Sequence, residues 1–332
     1  MPHHTSMTKP RIAIIGAGMA GISCASVLQQ RGLPATLFEK SRGLGGRLAT
    51  RRNEAGESFD HGAQYITTQS PEFSAFIDAR HGEGAAATWQ PRISDEAGRH
   101  HHPWLVGTPG MNALLKPLAR SLDIRLDATV TALRRQGRQW QLHTADSALP
   151  DLFDVVICTA PVAQTHKLFA AEPSLQKQLE SVTMAPCWAL MISFAAPLDV
   201  DFDARRFNDD DAAAWLARQG SRPGHVEGRN AWVMHASPRW SAEHLELTPE
   251  QAITVLQQHL SRVLGRELPA NRFAQTHRWR YAMTVQPLGQ PFLANAEQNL
   301  FAGGDWCLGA RVECAYQSGV TIATAVAKKL GG

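Results

Sequence analysis

RIAIIGAGMAGISCASVLQQRGLPATLFE, residues 11–39, is the stretch that decides the fold. Residues 11–15 form a short, β-branched apolar run, as expected of a buried parallel strand. The glycine-rich turn 16–21 follows at once, and a helical segment continues to residue 31. Residues 35–38 predict the next strand, with Glu39 directly after it. The order of strand, glycine turn, helix, strand and acid predicts a Rossmann-like α/β fold.

Each part of this unit has a physical role in holding a dinucleotide. Gly16 allows a tight turn, Gly18 lets the backbone approach a pyrophosphate, and Gly21 lets the helix pack on the strand. The helix N-terminus supplies free N–H groups and a positive dipole, and Glu39 can accept from a ribose hydroxyl. The predicted cofactor contacts in this region are Gly16, Gly18, Met19, Ala20, Gly21, Glu39 and Lys40.

A second glycine loop, residues 41–47 (SRGLGGR), favours FAD over a nicotinamide cofactor. It follows the second strand, where a nicotinamide enzyme needs no such loop. It resembles the second glycine motif of the glutathione-reductase-like flavoproteins, in the branch of amine oxidases, carotene desaturases and renalases. The resemblance implies that Gly46 and Arg47 lie along the FAD pyrophosphate, where a guanidinium offers a charged planar fork.

Three later segments fit the same fold. The resemblance puts the backbone of Val130, in a strand-like run over 128–133, against the adenine, although an ordinary core valine is the alternative. Residues 154–161 (DVVICTAP) predict a buried strand at a domain crossing. Residues 300–305 (LFAGGD) place Gly304 and Asp305 beside the ribityl chain, and a helix beginning near Glu313 points its N-terminus at the flavin pyrimidine ring, with Val312 as a predicted cofactor contact.

These segments predict a discontinuous FAD-binding domain and a second, mixed-sheet substrate domain. The first takes residues 9–60, 104–162 and 290–332, and the second takes 61–103 and 163–289. Within the substrate domain, 187–193, 231–235 and 275–280 are strand candidates. A helix is predicted from Thr248, an N-cap followed by Pro and, at the third helical position, Gln.

Composition excludes several classes of protein. The 332 residues are 44% hydrophobic with a net charge of +3, and the basic residues form no run suited to nucleic acid or a membrane surface. Five cysteines without CxxC spacing argue against a disulfide framework and a zinc site, and His100–His102 are interpreted as a solvated loop. The polar N-terminus lacks a signal-peptide pattern, so a cytoplasmic location is expected, with a monomer as the default.

The chain resembles the renalase family nearly end to end. That family oxidises misformed dihydronicotinamides, the 2- and 6-dihydro isomers of NAD(P)H, to NAD(P)+ and passes electrons to O2, giving H2O2. The resemblance implies a small-molecule dinucleotide substrate, O2 and hydride transfer to flavin N5, with the preferred isomer and NAD against NADP left open. Cys314 stands where the family usually has Gly. The matching segments are 60–65 (DHGAQY), 107–112 (GTPGMN), 232–241 (WVMHASPRWS), 277–282 (HRWRYA), 304–307 (GDWC) and 311–315 (RVECA).

Two alternatives remain. A flavin amine oxidase would share the fold, but many members carry a lysine near flavin N5, and this chain has none between Lys177 and Lys328. The Ser-Gly-Gly-Cys-Tyr segment that binds FAD covalently in some amine oxidases is absent, and Cys307 and Cys314 stand in other contexts, so FAD is expected to be non-covalent. A non-enzymatic electron carrier is the third reading, and no sequence feature favours it.

Substrate contacts are predicted from the resemblance and from strand positions. Ala63, Gln64 and Tyr65 follow a glycine turn and are expected near the isoalloxazine. Trp188, His235 and Trp279 lie on three predicted strands that could form the wall facing the flavin, although core packing is an equal alternative for each Trp and a structural role for His235. The candidate catalytic residues are therefore Gln64, Tyr65, Trp188, His235 and Trp279, with no metal ligand among them.

Overall fold

The chain divides into two compact units. The computed structural model describes residues 9–94, 104–207, 212–226 and 230–331. Unit 1 comprises residues 1–46, 118–183 and 286–332, and unit 2 comprises 47–117 and 184–285. Among the described residues, no helix is both long enough and apolar enough to cross a membrane.

The strands are β1 (Ile12–Ile15), β2 (Ala35–Phe38), β3 (Thr50–Arg52), β4 (Ser58–Asp60), β5 (Ala86–Trp89), β6 (Ile93–Ser94), β7 (Trp104–Gly107), β8 (Asp123–Arg125), β9 (Ala132–Gln136), β10 (Gln139–His143), β11 (Ala148–Phe153), β12 (Val155–Cys158), β13 (Thr183–Phe194), β14 (Ala204–Arg206), β15 (Ala213–Arg218), β16 (Ala231–Ala236), β17 (Asn271–Gln286), β18 (Leu293–Ala294) and β19 (Leu300–Ala302). The helices are α1 (Met19–Gln30), α2 (Pro71–Gly82), α3 (Lys116–Ala119), α4 (Val162–Leu168), α5 (Pro173–Leu179), α6 (Pro238–Glu243), α7 (Pro249–Leu264) and α8 (Val312–Leu330).

Unit 1 is built on a six-stranded sheet in the order β18-β19-β12-β1-β2-β8. All neighbours are parallel except β18, which runs antiparallel to β19 at the edge. The central strands β1 and β12 are buried at every position, as their continuous apolar sequences predict for strands covered on both faces. A three-stranded antiparallel sheet, β11-β10-β9, completes the strands of this unit.

Helices α1 and α8 pack together so closely that one crossing point has no space for a side chain. A Cβ atom on Gly319 of α8 would lie 2.2 Å from the carbonyl oxygen of Ala20 in α1. Nearby, a Cβ on Gly21 would lie 2.0 Å from the carbonyl oxygen of Gly16. Because neither partner is a flexible side chain, these contacts fix the two helices relative to the turn after β1.

Unit 2 is built on a mixed six-stranded sheet in the order β17-β13-β16-β15-β14-β6. β14 and β6 are parallel. The pairs β13–β16, β16–β15 and β15–β14 are antiparallel. One sheet face packs on α7 through a core that includes Trp232, Met234 and Leu256. Val233 and Met191 point to the other face, where they pack with Phe59.

The predicted fold class is confirmed: the sheet of unit 1 is Rossmann-like and that of unit 2 is mixed. The strand candidates at 187–193, 231–235 and 275–280 lie within β13, β16 and β17. Thr248 caps α7 with the full capping box. Residues 47–60 and 104–117, which sequence assigns to the FAD-binding domain, lie in unit 2, and 163–183 lie in unit 1.

The strand-like run expected over 128–133 is wrong for its first four residues. β9 begins at Ala132, and residues 128–131 lie outside any strand. The amide of Ala128 instead donates to the carbonyl oxygen of Glu39 at 2.9 Å, which ties this segment to the end of β2. Val130, two residues further on, is partly buried.

Gly319→Ala should destabilise unit 1. The added methyl group forces α1 and α8 apart, and overpacking of this kind costs about 1–3 kcal/mol in unfolding free energy. Urea denaturation followed by far-ultraviolet circular dichroism measures the loss. Gly82→Ala is the matched control, because a Cβ there meets no atom within 4 Å at the end of α2. Equal stability of the two variants would contradict the close helix contact.

Candidate functional site

The carboxyl ends of the parallel strands in unit 1 bring four segments to one edge of the sheet. Gly16 follows β1, Glu39 follows β2, Thr159 follows β12 and Gly303 follows β19. In open α/β sheets ligands bind outside the carboxyl ends of the strands. The residues of the glycine turn and Glu39 therefore lie at the sheet edge where this architecture binds its ligands.

The first glycine turn has the backbone shape that its sequence predicts. Gly16 has a φ of +104°, and a Cβ there would lie 2.8 Å from the Thr159 hydroxyl oxygen, so this position requires glycine. Gly18 is the N-cap of α1 and provides no side-chain cap, which leaves the N–H groups of the first turn without a side-chain partner there. A Cβ on Gly18 would meet only the carbonyl oxygen of Gly45, at 3.8 Å, so a cradle of bare backbone opens here.

The second glycine loop lies directly against the first. Gly18 and Gly45 form a parallel bridge, and the amide of Gly45 donates to the carbonyl oxygen of Ala17 at 2.9 Å. Gly46 has a φ of +54°, and its own Cβ would approach the Gly18 Cα to 3.5 Å. Two stretches of backbone amides, far richer in glycine than the rest of the chain, therefore meet at the start of α1.

Glu39 is buried at the end of β2, and its carboxylate holds both loops. One oxygen accepts from the amide of Ala17 and the other from the amide of Ser41, both at 2.9 Å. A carboxylate has about four lone-pair positions, so each oxygen retains capacity for a further donor. Lys40, the next residue, is exposed.

The segment after β19 turns into α8 beside these loops. Gly303 donates to the carbonyl oxygen of Cys158 at 3.0 Å, and Gly304 donates to the Ser318 hydroxyl at 2.9 Å. Asp305 is buried at the start of a short 3-10 helix, Asp305–Cys307. α8 begins at Val312, and its N-cap residue makes no side-chain cap, so its first amides are available to an anionic or polar group.

In unit 2, one sheet face carries a row of candidate site residues. Trp215 on β15 pairs with His235 on β16, so the two lie side by side on this face. The loop 60–65 covers the row through Gln64, whose side-chain oxygen accepts from the Trp215 indole at 3.1 Å. The Gln64 side-chain nitrogen donates to the carbonyl oxygens of Asp60 and Gly62. The side chain of Gln64 thus fixes its own loop to the sheet.

The carbonyl oxygen of His61 connects two of the candidate residues. It accepts from the indole of Trp279 at 2.9 Å and lies 3.0 Å from Nε2 of His235. A carbonyl can only accept, so Nε2 of His235 carries the proton and Nδ1 is left as an acceptor. The His61 ring itself stacks on Trp279 with ring centroids 5.3 Å apart.

Both imidazoles are neutral at physiological pH. Burial lowers the pKa of His61 to about 3, helped by the neighbouring charges of His277 and Arg51. Burial likewise lowers the pKa of His235 to about 4. Around His61 and His235, this face therefore presents aromatic rings and uncharged hydrogen-bonding groups.

Tyr65 joins an aromatic stack at the side of this face. Its ring lies parallel to that of Trp104 at 4.3 Å, and Trp215 tilts against both. Trp89 continues the stack beneath Trp104 at 5.5 Å. The exposed guanidinium of Arg206 covers the outer side, 5.5–5.9 Å from the centroids of Tyr65, Trp104 and Trp215.

A buried ionic network anchors the loop 60–65 from below. One Asp60 oxygen lies 3.0 Å from Nε of Arg222 and 3.2 Å from His225, and the other accepts from the Thr50 hydroxyl and the Met111 amide. Burial alone would raise the pKa of Asp60, but Arg222 and His225 lower it to about 2. Arg222 also donates to the carbonyl oxygen of Gln64 at 2.6 Å.

Comparison with known proteins identifies the family. A model of the flavin containing amine oxidoreductases matches residues 83–327, well over half of the chain, and a NAD(P)-binding Rossmann-like domain matches residues 14–79. The chain belongs to the flavin-containing amine oxidoreductase family. Because the family is flavin-containing, the cofactor of this chain is FAD.

Several relatives and structures are similar to this flavoprotein. Protoporphyrinogen oxidase 2 of Arabidopsis thaliana is 37% identical over 68 residues, which is 20% of this chain and 13% of that protein. The segments matched in the first curated relatives span less than a third of those proteins' length. Cyclohexylamine oxidase from Brevibacterium oxydans IH-35A superposes with a TM-score of 0.74 at 12% identity, covering 98% of this chain and 100% of that one. A candidate protoporphyrinogen oxidase from Exiguobacterium sp. 255-15 has a TM-score of 0.76 at 14% identity, covering 98% and 100%.

Trp188 does not belong to the candidate substrate face, so its expected place in the flavin-facing wall is wrong. It is 2% exposed and packs in the core against α7, on the opposite side of the sheet from His235. Its indole donates to the carbonyl oxygen of His244 at 3.1 Å. The neighbouring position on β13, Ala189, pairs with His235, so a one-residue offset decides the face.

Sequence reasoning missed the groups that hold the substrate face together. Arg222 and His225 lie more than 150 residues beyond their partner Asp60, in a segment without a recognisable motif. One usable signal in the sequence was a glycine, Gly224. In the structure it forms a constrained turn, with a φ of +79° and a close approach to Thr108. No sequence motif includes Trp215 or Arg206. Only the strand pairing shows that they lie in one row with His235.

Among the described residues, no group of three or more His, Cys, Asp or Glu side chains could hold a metal ion. His100–His102 lie outside the described residues. All five cysteines are free.

Arg222→Met should destabilise the flavoprotein strongly, because it leaves the Asp60 carboxylate buried without its cation. Breaking a buried pair in this way costs about 3–5 kcal/mol. Thermal and urea unfolding of the holoprotein measure the loss, and adding Asp60→Asn should recover part of it. Arg239→Met, which breaks an exposed pair with Glu243, is the control and should change little. If Arg222→Met were as stable as Arg239→Met, the network would not anchor the loop.

Proposed function

We propose that this flavoprotein oxidises isomeric dihydronicotinamide dinucleotides, the 2- and 6-dihydro forms of NAD(P)H, to NAD(P)+. The overall reaction consumes the dihydro compound, O2 and one proton and yields NAD(P)+ and H2O2. When bound, FAD supplies the hydride acceptor at N5 and the route for two electrons to O2. The observation that carries the proposal is the uncharged, aromatic face of unit 2 around His235 and Trp279.

The residues of unit 1 fit a non-covalent FAD. The backbone cradle of Gly16, Gly18 and Gly46 would hold the pyrophosphate, and Glu39 has acceptor capacity for the ribose. Asp305 and the α8 amides at Val312 would serve the ribityl chain and the pyrimidine ring. The further contacts proposed are Met19, Ala20, Gly21, Lys40, Val130 and Gly304 of unit 1, and Arg47, Ala63 and Gln64 of unit 2.

A flat and uncharged ring matches the substrate face of unit 2. A dihydronicotinamide ring is neutral, its reactive C–H is already hydridic, and its product is aromatic, so stacking and orientation suffice without a general base. Trp279 offers a ring face, and the free Nδ1 of neutral His235 can accept from the carboxamide. Because both rings share the His61 carbonyl oxygen, they are held at a fixed spacing.

The same face is poorly suited to an amine substrate. Lys116 is the only lysine of unit 2, and it is exposed at the start of α3. Asp60, the buried carboxylate at the start of the loop 60–65, is already paired with Arg222. A protonated amine would therefore find neither the lysine that many amine oxidases carry nor an unpaired carboxylate on Asp60. Amine oxidation, the activity in the name of the cyclohexylamine oxidase that shares the fold, is the alternative.

Anaerobic stopped-flow reduction tests the proposal directly. The oxidised holoprotein is mixed with 2- and 6-dihydro-NAD, with ordinary 4-dihydro-NADH and with a panel of amines including cyclohexylamine. Rapid bleaching of the flavin by the isomers alone is expected, because only they present the hydridic carbon in the required position. Bleaching by an amine alone would move the protein to the amine-oxidase alternative. A flavin that no reductant bleaches would leave the electron-carrier interpretation.

Glu39→Ala should weaken FAD retention. The change removes the ribose acceptor together with the carboxylate that joins Ala17 and Ser41. Loss of hydrogen bonds to a charged group corresponds to at least about a tenfold rise in the dissociation constant. The FAD content after extensive dilution and dialysis measures it, with Glu54→Ala on an exposed turn as the control. Unchanged retention would mean that Glu39 only supports the loops.

A further inference from the structure

We propose that Arg206 is the phosphate-binding residue of the substrate site, and that the Tyr65–Trp104–Trp215 platform holds its guanidinium ready for the phosphate of a pyridine dinucleotide. The inference rests on the proposed dinucleotide substrate and deepens it. Arg206 has no counterpart among the motifs that identify the fold, and it emerges from side-chain packing alone.

The guanidinium of Arg206 is unusually well held for an exposed group. Its carbon lies 5.6, 5.9 and 5.5 Å from the ring centroids of Tyr65, Trp104 and Trp215, and one nitrogen donates to the Tyr65 hydroxyl. Three cation–π contacts and one hydrogen bond restrict a side chain that otherwise has much rotamer freedom. An anion that binds there meets a preorganised donor and loses little further entropy.

The charge of Arg206 is not neutralised within the described part of the chain. It makes no ion pair with a described carboxylate, whereas Arg92 and Arg218 of the same sheet region both contact Asp203. At the other end of the aromatic stack, Arg222 lies 4.6 Å from the Trp89 centroid and is paired with Asp60. The inner arginine is thus structural, and the outer one offers N–H donors to solvent.

Strand register places Arg206 in line with the ring-binding residues. Arg206 on β14 pairs with Trp215 on β15, and Trp215 pairs with His235 on β16. Arg206 and His235 are therefore two strand spacings apart on one face, about 10 Å between their backbones. In a dinucleotide one ribose separates the nicotinamide ring from the pyrophosphate. The phosphates of a dinucleotide whose ring lies at His235 would reach Arg206 by extending over the Gln64 and Tyr65 side chains, which cover Trp215 in the middle of this row.

Neighbouring Arg205 gives a matched control. Its guanidinium lies over Phe202 and Phe207, and its strand position faces the opposite side of the sheet. Arg205→Gln and Arg206→Gln remove the same charge one residue apart. Only the second change should affect a ligand on the His235 face.

Equilibrium binding to the oxidised holoprotein tests the proposal. NAD+ and nicotinamide riboside, which has no phosphate, are titrated into the wild type, Arg206→Gln and Arg205→Gln by calorimetry. Arg206→Gln should raise the NAD+ dissociation constant about ten- to hundredfold, the range for a charge-assisted hydrogen bond. Its affinity for the riboside should change less than twofold, and Arg205→Gln should bind both ligands like the wild type. The wild-type affinity for NAD+ should also fall with added salt.

The outcomes separate this inference from the proposed function. Wild-type affinity for NAD+ in Arg206→Gln would overturn the phosphate assignment, even if the dihydro isomers reduce the flavin. Equal losses for NAD+ and riboside would also overturn it, since Arg206 would then only support the Tyr65 platform. If NAD+ binding depends on Arg206 but the isomers do not bleach the wild type, the phosphate site stands and the proposed reaction fails.

Discussion

Backbone-to-backbone contact around the start of α1 is the constraint on which unit 1 depends. A Cβ atom at Gly21 would overlap the carbonyl oxygen of Gly16, and one at Gly319 would overlap that of Ala20. The helix α1, whose first amides we propose to face the cofactor, is thus set by β1 on one side and by α8 on the other. Atoms that cannot move apart hold the two helix N-termini, and with them the two positive dipole ends, at one edge of the sheet.

Unit 2 uses a different physical device to shape its face. Asp60 and Arg222 form an ion pair with both side chains fully buried, and the loop between β4 and α2 is tied to that pair and to Gln64. A buried pair contributes little net stability, but each member is costly to leave alone. Its effect is therefore to specify one loop conformation, which holds the His61 carbonyl oxygen where His235 and Trp279 can share it.

The fold of unit 1 could be predicted from the sequence because the residues that specify it lie close together in the chain. The glycine turn, its strand and Glu39 lie within 30 residues, and backbone geometry demands those residue types. The side-chain contacts of unit 2 were harder to predict from the sequence because strand register decides which face each side chain occupies. Trp188 and His235 looked equivalent as residues on apolar strands, yet pairing puts them on opposite faces. The Asp60–Arg222 pair spans more than 150 residues, beyond any local pattern.

The strand order of unit 1 has a consequence for how the chain acquires its structure. β1 pairs with β12, which lies 143 residues later in the chain. The other edge of β12 pairs with β19, at Leu300–Ala302. During synthesis this edge of β12 stays unpaired until the ribosome has translated residues 300–302. Parallel pairing over such sequence separations closes slowly and exposes apolar strand edges meanwhile. FAD, which we propose to bind at those same strand ends, would then find its complete site only after residues 300–302 have been made, rather than act as a template for the first fifty residues.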